Sequence, residues 1–278
     1  MKIIFIADYF TNQVLGGGEL NNEELIRILH SKNHQIEQIN SPLVTPAFIE
    51  ANKDSHFIVA NFVNLPQATL HALYDKKYLI YEHDHKYLIT RDPSVYENYK
   101  APPEAIINKE FYHNARAVLC QSRFHLEIVY KNLKINNLIN LSGNLWSNHS
   151  LDLIEKLSQV PKNHTCAILN SNIPHKNTRE AVMYCEHTKK AFNLIASKNY
   201  ADFLKQMSTN DTFVFFPKTP ETLSRVIVEA RMMGLSVVTN KSVGATREEW
   251  YQLKGIDLIN KVREMRTNIP ETVLRAFE

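Results

Sequence analysis

The chain of 278 residues is poor in cysteine, in net charge and in long apolar runs, and each shortage closes a set of options. Its three cysteines, Cys120, Cys166 and Cys185, are odd in number and far apart, so they supply neither a disulfide framework nor the paired spacing of a zinc knuckle. A reducing compartment is expected. The formal charge of +3 comes without a basic stripe, which argues against a partner held through a phosphate backbone. The N-terminal MKIIFIAD reaches Asp8 before it could form a signal-peptide core, and it falls far short of a membrane span. A cytoplasmic protein is therefore expected, in which Asn-x-Ser/Thr triplets such as Asn148 to Ser150 carry no glycosylation meaning. The sequence has no internal repeat and no low-complexity tract.

What remains is ordinary globular material, 44% hydrophobic and 22% charged, long enough for one large domain or two medium ones. Short β-branched runs at Ile3 to Ile6, Phe57 to Val59, Tyr78 to Tyr81, Ala117 to Leu119 and Leu138 to Leu141 read as strands. Helical spacing falls between them, as in Leu25, Ile28 and Leu29. A turn-rich stretch, Ser142 to Ser150, interrupts the series. Strands resume at Cys166 to Leu169, Phe192 to Ala196, Thr212 to Phe216 and Leu235 to Thr239. This alternation predicts an α/β protein of two units, residues 1–146 and 147–278, each a parallel sheet wrapped by helices.

The segment PETLSRVIVEARMMG, Pro220 to Gly234, carries two glutamates in an otherwise apolar pattern. Read as a helix over 222–234, it puts Leu223, Val226, Ile227, Ala230 and Met233 on one face, with Glu229 at the margin of that stripe. Glu221 then falls in the preceding strand-to-helix loop, at the C-terminal sheet edge where open α/β folds bind ligands. The backbone amides of Thr222, Leu223 and Ser224 would form an anion site between the two acids. Hydroxyl, phosphate, hydroxyl is the order of groups in a nucleotide-sugar. From spacing alone a second reading stands beside it: Glu221 as a helix-start acid favoured by the dipole, and Glu229 as a solvated side chain.

The stretch from Glu221 through Glu229 to Val238 resembles the E-x7-E element of retaining glycosyltransferases of the GT-B fold, family 4 type. The resemblance implies two Rossmann-like domains facing each other, with the last segment, Val273 to Phe277, crossing back to the first domain. It implies that Glu229 binds the ribose, Glu221 the donor-sugar hydroxyls, and the amides of Thr222 to Ser224 the diphosphate. Family members commonly carry a glycine where Thr222 stands. They also place an arginine and, five residues later, a lysine after the first strand of the second domain. In LNSNIPHKN, Lys176 matches the lysine and Ser171 occupies the arginine position, so Lys218 or Arg225 is expected to compensate.

In the first half, VLGGGEL places Gly16, Gly17 and Gly18 between the first strand and a helix, where backbone can approach a ligand closely. No Gly-Lys-Ser/Thr follows, so this is not a P-loop, and a plain turn is the simple alternative. Glu19, Glu23 and Glu24 would repel a phosphate there. The loop therefore suits sugar or acceptor, with Gly17 and Gly18 toward the donor and Gly16 and Glu19 toward the acceptor, and the family's glycine loop lies beside the reaction centre. In YLIYEHDHKYL, period-2 spacing puts His83 and His85 on one face, a start for a metal site without a clear third ligand. In the resembling family a strand here ends in a histidine near the donor sugar, which His83 matches. Ser122, in AVLCQSRFHLEIV, resembles the segment that closes the acceptor side, although a serine at a strand-to-helix junction is also a common N-cap.

The expected function is transfer of a sugar from a nucleotide-diphosphate sugar to a saccharide, lipid, protein or modified-DNA acceptor. Retention of configuration and independence of metal and cofactor are implied by the resemblance. His83, Glu221 and Lys176 are the expected catalytic residues. Two alternatives stand beside it: a nucleotide-sugar-binding protein without transfer, and a metal-dependent hydrolase built on His83, Asp84 and His85.

Overall fold

The computed structural model describes residues 1–278. The chain divides into two units, Met1–Trp146 with Met265–Glu278, and Ser147–Glu264. The second unit thus ends at Glu264, and the last fourteen residues belong to the first unit. No helix is long and apolar enough to cross a membrane.

The first unit is a six-stranded parallel sheet. Its strands are β1 (Lys2–Ala7), β2 (Gln35–Asn40), β3 (His56–Val59), β4 (Lys77–Tyr81), β5 (Ala117–Cys120) and β6 (Leu138–Asn140), in the order β2-β1-β3-β4-β5-β6. Ile3 to Ala7, Phe57 to Val59 and Tyr78 to Tyr81 are fully buried, the unbroken apolar signature of strands covered on both faces. Strand β2, QIEQIN, is absent from the sequence reading. It is an edge strand whose only apolar residues are Ile36 and Ile39, so it has no hydrophobic run to announce it. The helices are α1 (Gly17–Ser31), α2 (Pro46–Ala51), α3 (Gln67–Leu73), α4 (Lys109–Asn114) and α5 (Arg123–Leu133). Because β1 pairs with β2 on one side and β3 on the other, the sheet order reverses between β1 and β3, and open α/β sheets bind ligands at the C-terminal strand ends of such a reversal.

The second unit is smaller. It holds α6 (Asn148–Ser158), β7 (Cys166–Leu169), α7 (Thr178–His187), β8 (Phe192–Ile195), α8 (Tyr200–Ser208), β9 (Thr212–Phe215), α9 (Arg225–Met232) and β10 (Ser236–Thr239). All four strands run parallel in the order β10-β9-β7-β8, so here the reversal lies between β7 and β9. Cys166, Ile168, Ala181, Cys185 and Val214 form one buried cluster beside that sheet. The final helix, α10 (Ile256–Arg275), buries Leu258, Ile259 and Val262, and its C-terminal part packs in the first unit. There Arg266 bonds both the Glu24 carboxylate and the Trp146 carbonyl. Arg116 donates to the Phe277 carbonyl at 2.9 Å, and the Phe277 ring meets His56 edge-on at 4.8 Å.

Candidate functional site

In the second unit the two loops at the sheet reversal are stitched together. After β7, the Ser171 amide donates to Thr178 Oγ1 at 3.1 Å, and the Ser171 hydroxyl accepts from the Ile173 amide at 3.2 Å. A short 3-10 turn, Pro174–Lys176, follows, and Asn177 then takes the left-handed conformation at φ 55°. The Asn177 side-chain amide donates to the Phe216 carbonyl at 2.9 Å, and the Lys218 amide donates to the His175 carbonyl at 2.9 Å. Ser171, at the place of the expected arginine, thus shapes the loop and carries no charge toward it. Lys218 is exposed and joins none of the ion pairs.

Glu221 is held at its backbone. Its amide donates to the Ser242 carbonyl at 2.8 Å and its carbonyl accepts from the Gly244 amide at 2.9 Å, a single parallel bridge to Val243. Its side chain meets Lys176 Nζ at 2.7 Å, and that ammonium also lies over the Phe215 ring at 5.8 Å. The two residues expected to act on different parts of a donor therefore form one partly buried ion pair.

The helix after Glu221 starts later than its apolar pattern predicts. It begins at Arg225, so the amides at its N-terminus are those of Arg225 and Val226 instead of Thr222 to Ser224. Ser224 holds φ 76° and ψ 86°, a conformation disfavoured for a residue with a Cβ. Its hydroxyl is buried without a hydrogen-bond partner, although the residue is only 6% exposed. Leu223 is fully buried, which removes it from any direct ligand contact through its side chain.

Glu229 is not at an open margin. It is 3% exposed, because α9 packs against β9 and β10 on one side and against α6 and α8 on others. Its Oε1 accepts from the Tyr200 hydroxyl at 2.7 Å and lies 3.8 Å from Arg225 Nε. Burial first, and the Glu229 charge second, push the Tyr200 hydroxyl pKa well above its usual value, so it remains a donor. Tyr200 escaped sequence reasoning. The available signal was Asn199, whose side chain accepts from the Asp202 amide at 3.0 Å and so caps α8. That cap puts the first residue of a helix at the C-terminal edge of β8.

In the first unit His83 follows the end of β4. Its Nε2 lies 2.5 Å from Asn22 Oδ1, its Nδ1 meets the Gln121 side-chain amide, and its ring stands edge-on to Tyr81 at 4.9 Å. A Cβ on Gly18 would sit 3.6 Å from His83 Cγ, so the structure does bring Gly18 and His83 together. Gly17 and Gly18 are helical residues, however, and only Gly16 stands outside α1 as its extended N-cap. The Glu19 carboxylate folds back over Gly16. Its pKa is raised by burial, opposed by a bond to its own backbone amide and aided by the nearby Asp8 charge. Asp8 itself ties three loops together, accepting from Ser41 Oγ and from the amides of Val63 at 2.9 Å and Asn64 at 3.0 Å.

Ser122 is a buried N-cap: its hydroxyl accepts from the His125 amide at 3.1 Å, and it is fully covered. It offers no surface to an acceptor. The alternation of His83 and His85 on one face also fails, because β4 ends at Tyr81, before either histidine. His85 Nδ1 pairs with the Tyr87 hydroxyl at 2.9 Å, and burial lowers its pKa to about 4. Asp84 binds Lys86 at 2.8 Å; burial would raise its pKa, but the Lys86 charge holds it down at about 2. Glu82 is fully buried, bonded to Lys86 Nζ, the Tyr112 hydroxyl and the Asp84 amide, and burial lifts it to about 7. His83, Asp84 and His85 thus face separate partners, and no group of three or more His, Cys, Asp or Glu is arranged to hold a metal ion. The hydrolase alternative has no ligand set.

No protein-family model matches the chain. No curated protein matches it either. Solved structures do. HepE of Anabaena, in complex with UDP and glucose, superposes with a TM-score of 0.53 at 15% identity over 100% of this chain and 96% of that one. An alpha-glucosyltransferase bound to UDP and a 13-mer DNA containing an HMU base gives 0.50 at 9% identity, over 100% and 95%. AviGT4, a glycosyltransferase of avilamycin A biosynthesis, gives 0.52 at 11% identity, over 99% and 96%. The fold is GT-B. At these identities the likeness is one of fold, carried along the whole chain.

Proposed function

We propose that this GT-B chain moves a sugar from a nucleotide-diphosphate sugar to an acceptor, with retention of configuration and without metal or cofactor, in the cytoplasm. The observation that carries the proposal is Ser224. A strained serine with a buried, unpartnered hydroxyl stands at the start of α9, between Glu221 and Glu229. A phosphate oxygen seated there would take the hydroxyl proton in a hydrogen bond and meet the positive end of the helix. Strain and unsatisfied polarity of this kind are kept where a ligand uses them.

Around that point the groups divide by charge. As the glycosidic bond breaks, negative charge grows on the leaving diphosphate, and Lys176 with the start of α9 would stabilise it. The ammonium would then be shared between phosphate and Glu221, which frees one Glu221 oxygen for a donor-sugar hydroxyl. Glu229, held by Tyr200 and Arg225, would accept from the ribose hydroxyls. The acceptor stays open among saccharide, lipid, protein and modified DNA, with Gly16 and Glu19 at its side.

A second reading has its own support: a nucleotide-sugar-binding protein without transfer. Lys176 is already neutralised by Glu221, Arg225 is turned toward Glu229, and Ser171 adds no charge, which leaves exposed Lys218 to compensate. The test is release of nucleoside diphosphate from UDP-, GDP- and ADP-sugars, with and without a panel of acceptors. Turnover with any pair supports transfer; donor binding with no release under any condition supports the binding protein.

A further inference from the structure

The first unit holds a cavity of about 460 Å³ to which the transfer proposal gives no part. Its volume falls within the ~300–1,000 Å³ of small-molecule sites. It lies at one edge of the sheet, between α1, the edge strand β2 and the turn after β1. Glu23 and Ile26, three residues apart on α1, share a helix face and line it; Gln38 and Asn40, two residues apart on β2, share a strand face and line it too. The turn contributes Phe10 and Gln13.

The amides of this wall are set before any ligand arrives. The Asp8 carbonyl can only accept, so the Asn40 side-chain nitrogen points to it at 2.9 Å; the same nitrogen donates to Gln13 Oε1 at 2.8 Å, which spends both of its protons. The Phe10 backbone amide can only donate, and it meets Gln13 Oε1 at 3.0 Å. Gln13 Nε2 therefore faces Asn40 Oδ1, at 3.2 Å, and keeps one proton uncommitted. The turn is closed further by its own backbone, as the Gln13 and Val14 amides donate to the Phe10 carbonyl at 2.9 and 3.0 Å. By contrast, the side chains of Glu23 and Gln38 are exposed and bonded to nothing in the protein, so a ligand can engage them with no native bond to break.

From this lining we infer that the cavity is a binding site for a neutral saccharide on the first unit. Side-chain amides and a carboxylate offer both donors and acceptors to sugar hydroxyls, each of which is itself donor and acceptor. Phe10 and Ile26 add apolar surface for the C–H face of a sugar ring. No lysine, arginine or histidine lines the cavity, so a phosphate, sulfate or carboxylate would enter without a countercharge and beside the Glu23 carboxylate. The fixed amides of the wall lower the ordering cost of binding. Binding here needs nothing from the second unit. Coupled with the transfer proposal, on which this step alone depends, a saccharide site on the same chain selects the saccharide among saccharide, lipid, protein and modified-DNA acceptors.

The test is a glycan array probed with the full chain, followed by calorimetric titration of the best-retained neutral glycan. Retention of neutral glycans over sialylated, sulfated and phosphorylated ones is expected. Gln38→Ala and Glu23→Ala remove side chains that hold no bond in the protein, so the thermal transition should stay in place while each weakens the titrated glycan about threefold to tenfold. Glu37→Gln, on the opposite face of β2, should leave the affinity unchanged. Retention of no neutral glycan, or a preference for acidic ones, overturns the assignment, as does glycan binding indifferent to Gln38→Ala and Glu23→Ala. Adenosine and trialanine are titrated as the other ligands that side-chain amides hold; binding of either in place of the glycan, with the same dependence on Gln38 and Glu23, overturns it too. UDP-, GDP- and ADP-sugars titrated in parallel read the transfer proposal separately. Donor binding without glycan binding leaves that proposal standing and overturns the saccharide site; glycan binding without donor binding does the reverse.

Discussion

Tyr200→Phe deletes one oxygen and leaves the ring in place, so it isolates the bond that holds Glu229. In the wild type the Tyr200 hydroxyl donates to Glu229 at 2.7 Å, with Arg225 Nε on the same carboxylate oxygen at 3.8 Å. A hydrogen bond to an ionised group contributes roughly 1.5–3 kcal/mol net. Tyr200 is half-buried as a residue, which favours the lower part of that range, but Glu229 is almost wholly covered and cannot turn to water instead. The expected loss is about 2 kcal/mol for the second unit. Trp250 is the one tryptophan of that unit, so urea unfolding followed by its fluorescence reads the change in a background where Trp146 is replaced by phenylalanine. Glu229→Gln and the double variant complete a cycle, and a coupling of about 1 kcal/mol or more between the two sites is expected. A Tyr200→Phe change below about 0.5 kcal/mol, or strict additivity, would refute the claim that this bond fixes the carboxylate.

Three further outcomes follow from the first unit. Arg266→Ala removes a partner from buried Glu24 and from the Trp146 carbonyl while Arg27 remains, so a cost of about 2 kcal/mol is expected, read as a fall in Tm. Burial pushes Glu24 up, but the bonds from Arg27 and Arg266 outweigh it and lower its pKa; that stabilisation is present above 4.5 and lost on acidification through the lowered value, so the Arg266→Ala difference should shrink there. Glu82 titrates the other way. Its burial-raised pKa, about 7, gives stability that is full below 4.5 and lost as pH climbs through 7, and Glu82→Gln should flatten the decline between pH 5 and 8 in denaturation midpoints. Gly18→Ala should fold with near-wild-type stability, since its Cβ would meet His83 at an ordinary 3.6 Å; a large loss by calorimetric scanning would mean the glycine serves backbone freedom instead.

The parts of this fold legible in the sequence are those written in apolar periodicity. Nine of the ten strands announce themselves by short apolar runs, mostly buried in the central strands β1, β3, β4 and β5, whereas β2 hides in QIEQIN as a half-exposed edge. The acids of Pro220 to Gly234 are equally visible, and their surroundings are not. Periodicity places Glu229 at the edge of a stripe, but whether that edge meets solvent depends on α8, whose Tyr200 covers it from a distance of 29 residues. The same limit applies to the start of α9: the apolar spacing runs back to Leu223, yet Ser224 takes a positive φ and the helix waits until Arg225. His83 is legible from its place at the end of a strand. Its partners Asn22 and Gln121 come from a helix and a strand end 61 and 38 residues away, separations over which spacing carries no information. The pairing of Lys176 with Glu221 belongs to this class too, since it exists only where two loops of a parallel sheet meet.

The central claim is that the C-terminal edge of the second unit binds a nucleotide-diphosphate sugar through Lys176, Ser224 and Glu229. Its most direct measurement is a calorimetric titration of UDP-, GDP- and ADP-sugars into the wild type, Lys176→Met, Ser224→Ala and Glu229→Gln. The last keeps an acceptor for Tyr200 while removing the charge. Saturable one-to-one binding of at least one donor is expected, weakened about tenfold or more by each substitution on a folded protein. Binding that is absent, or that is indifferent to all three substitutions, would contradict it.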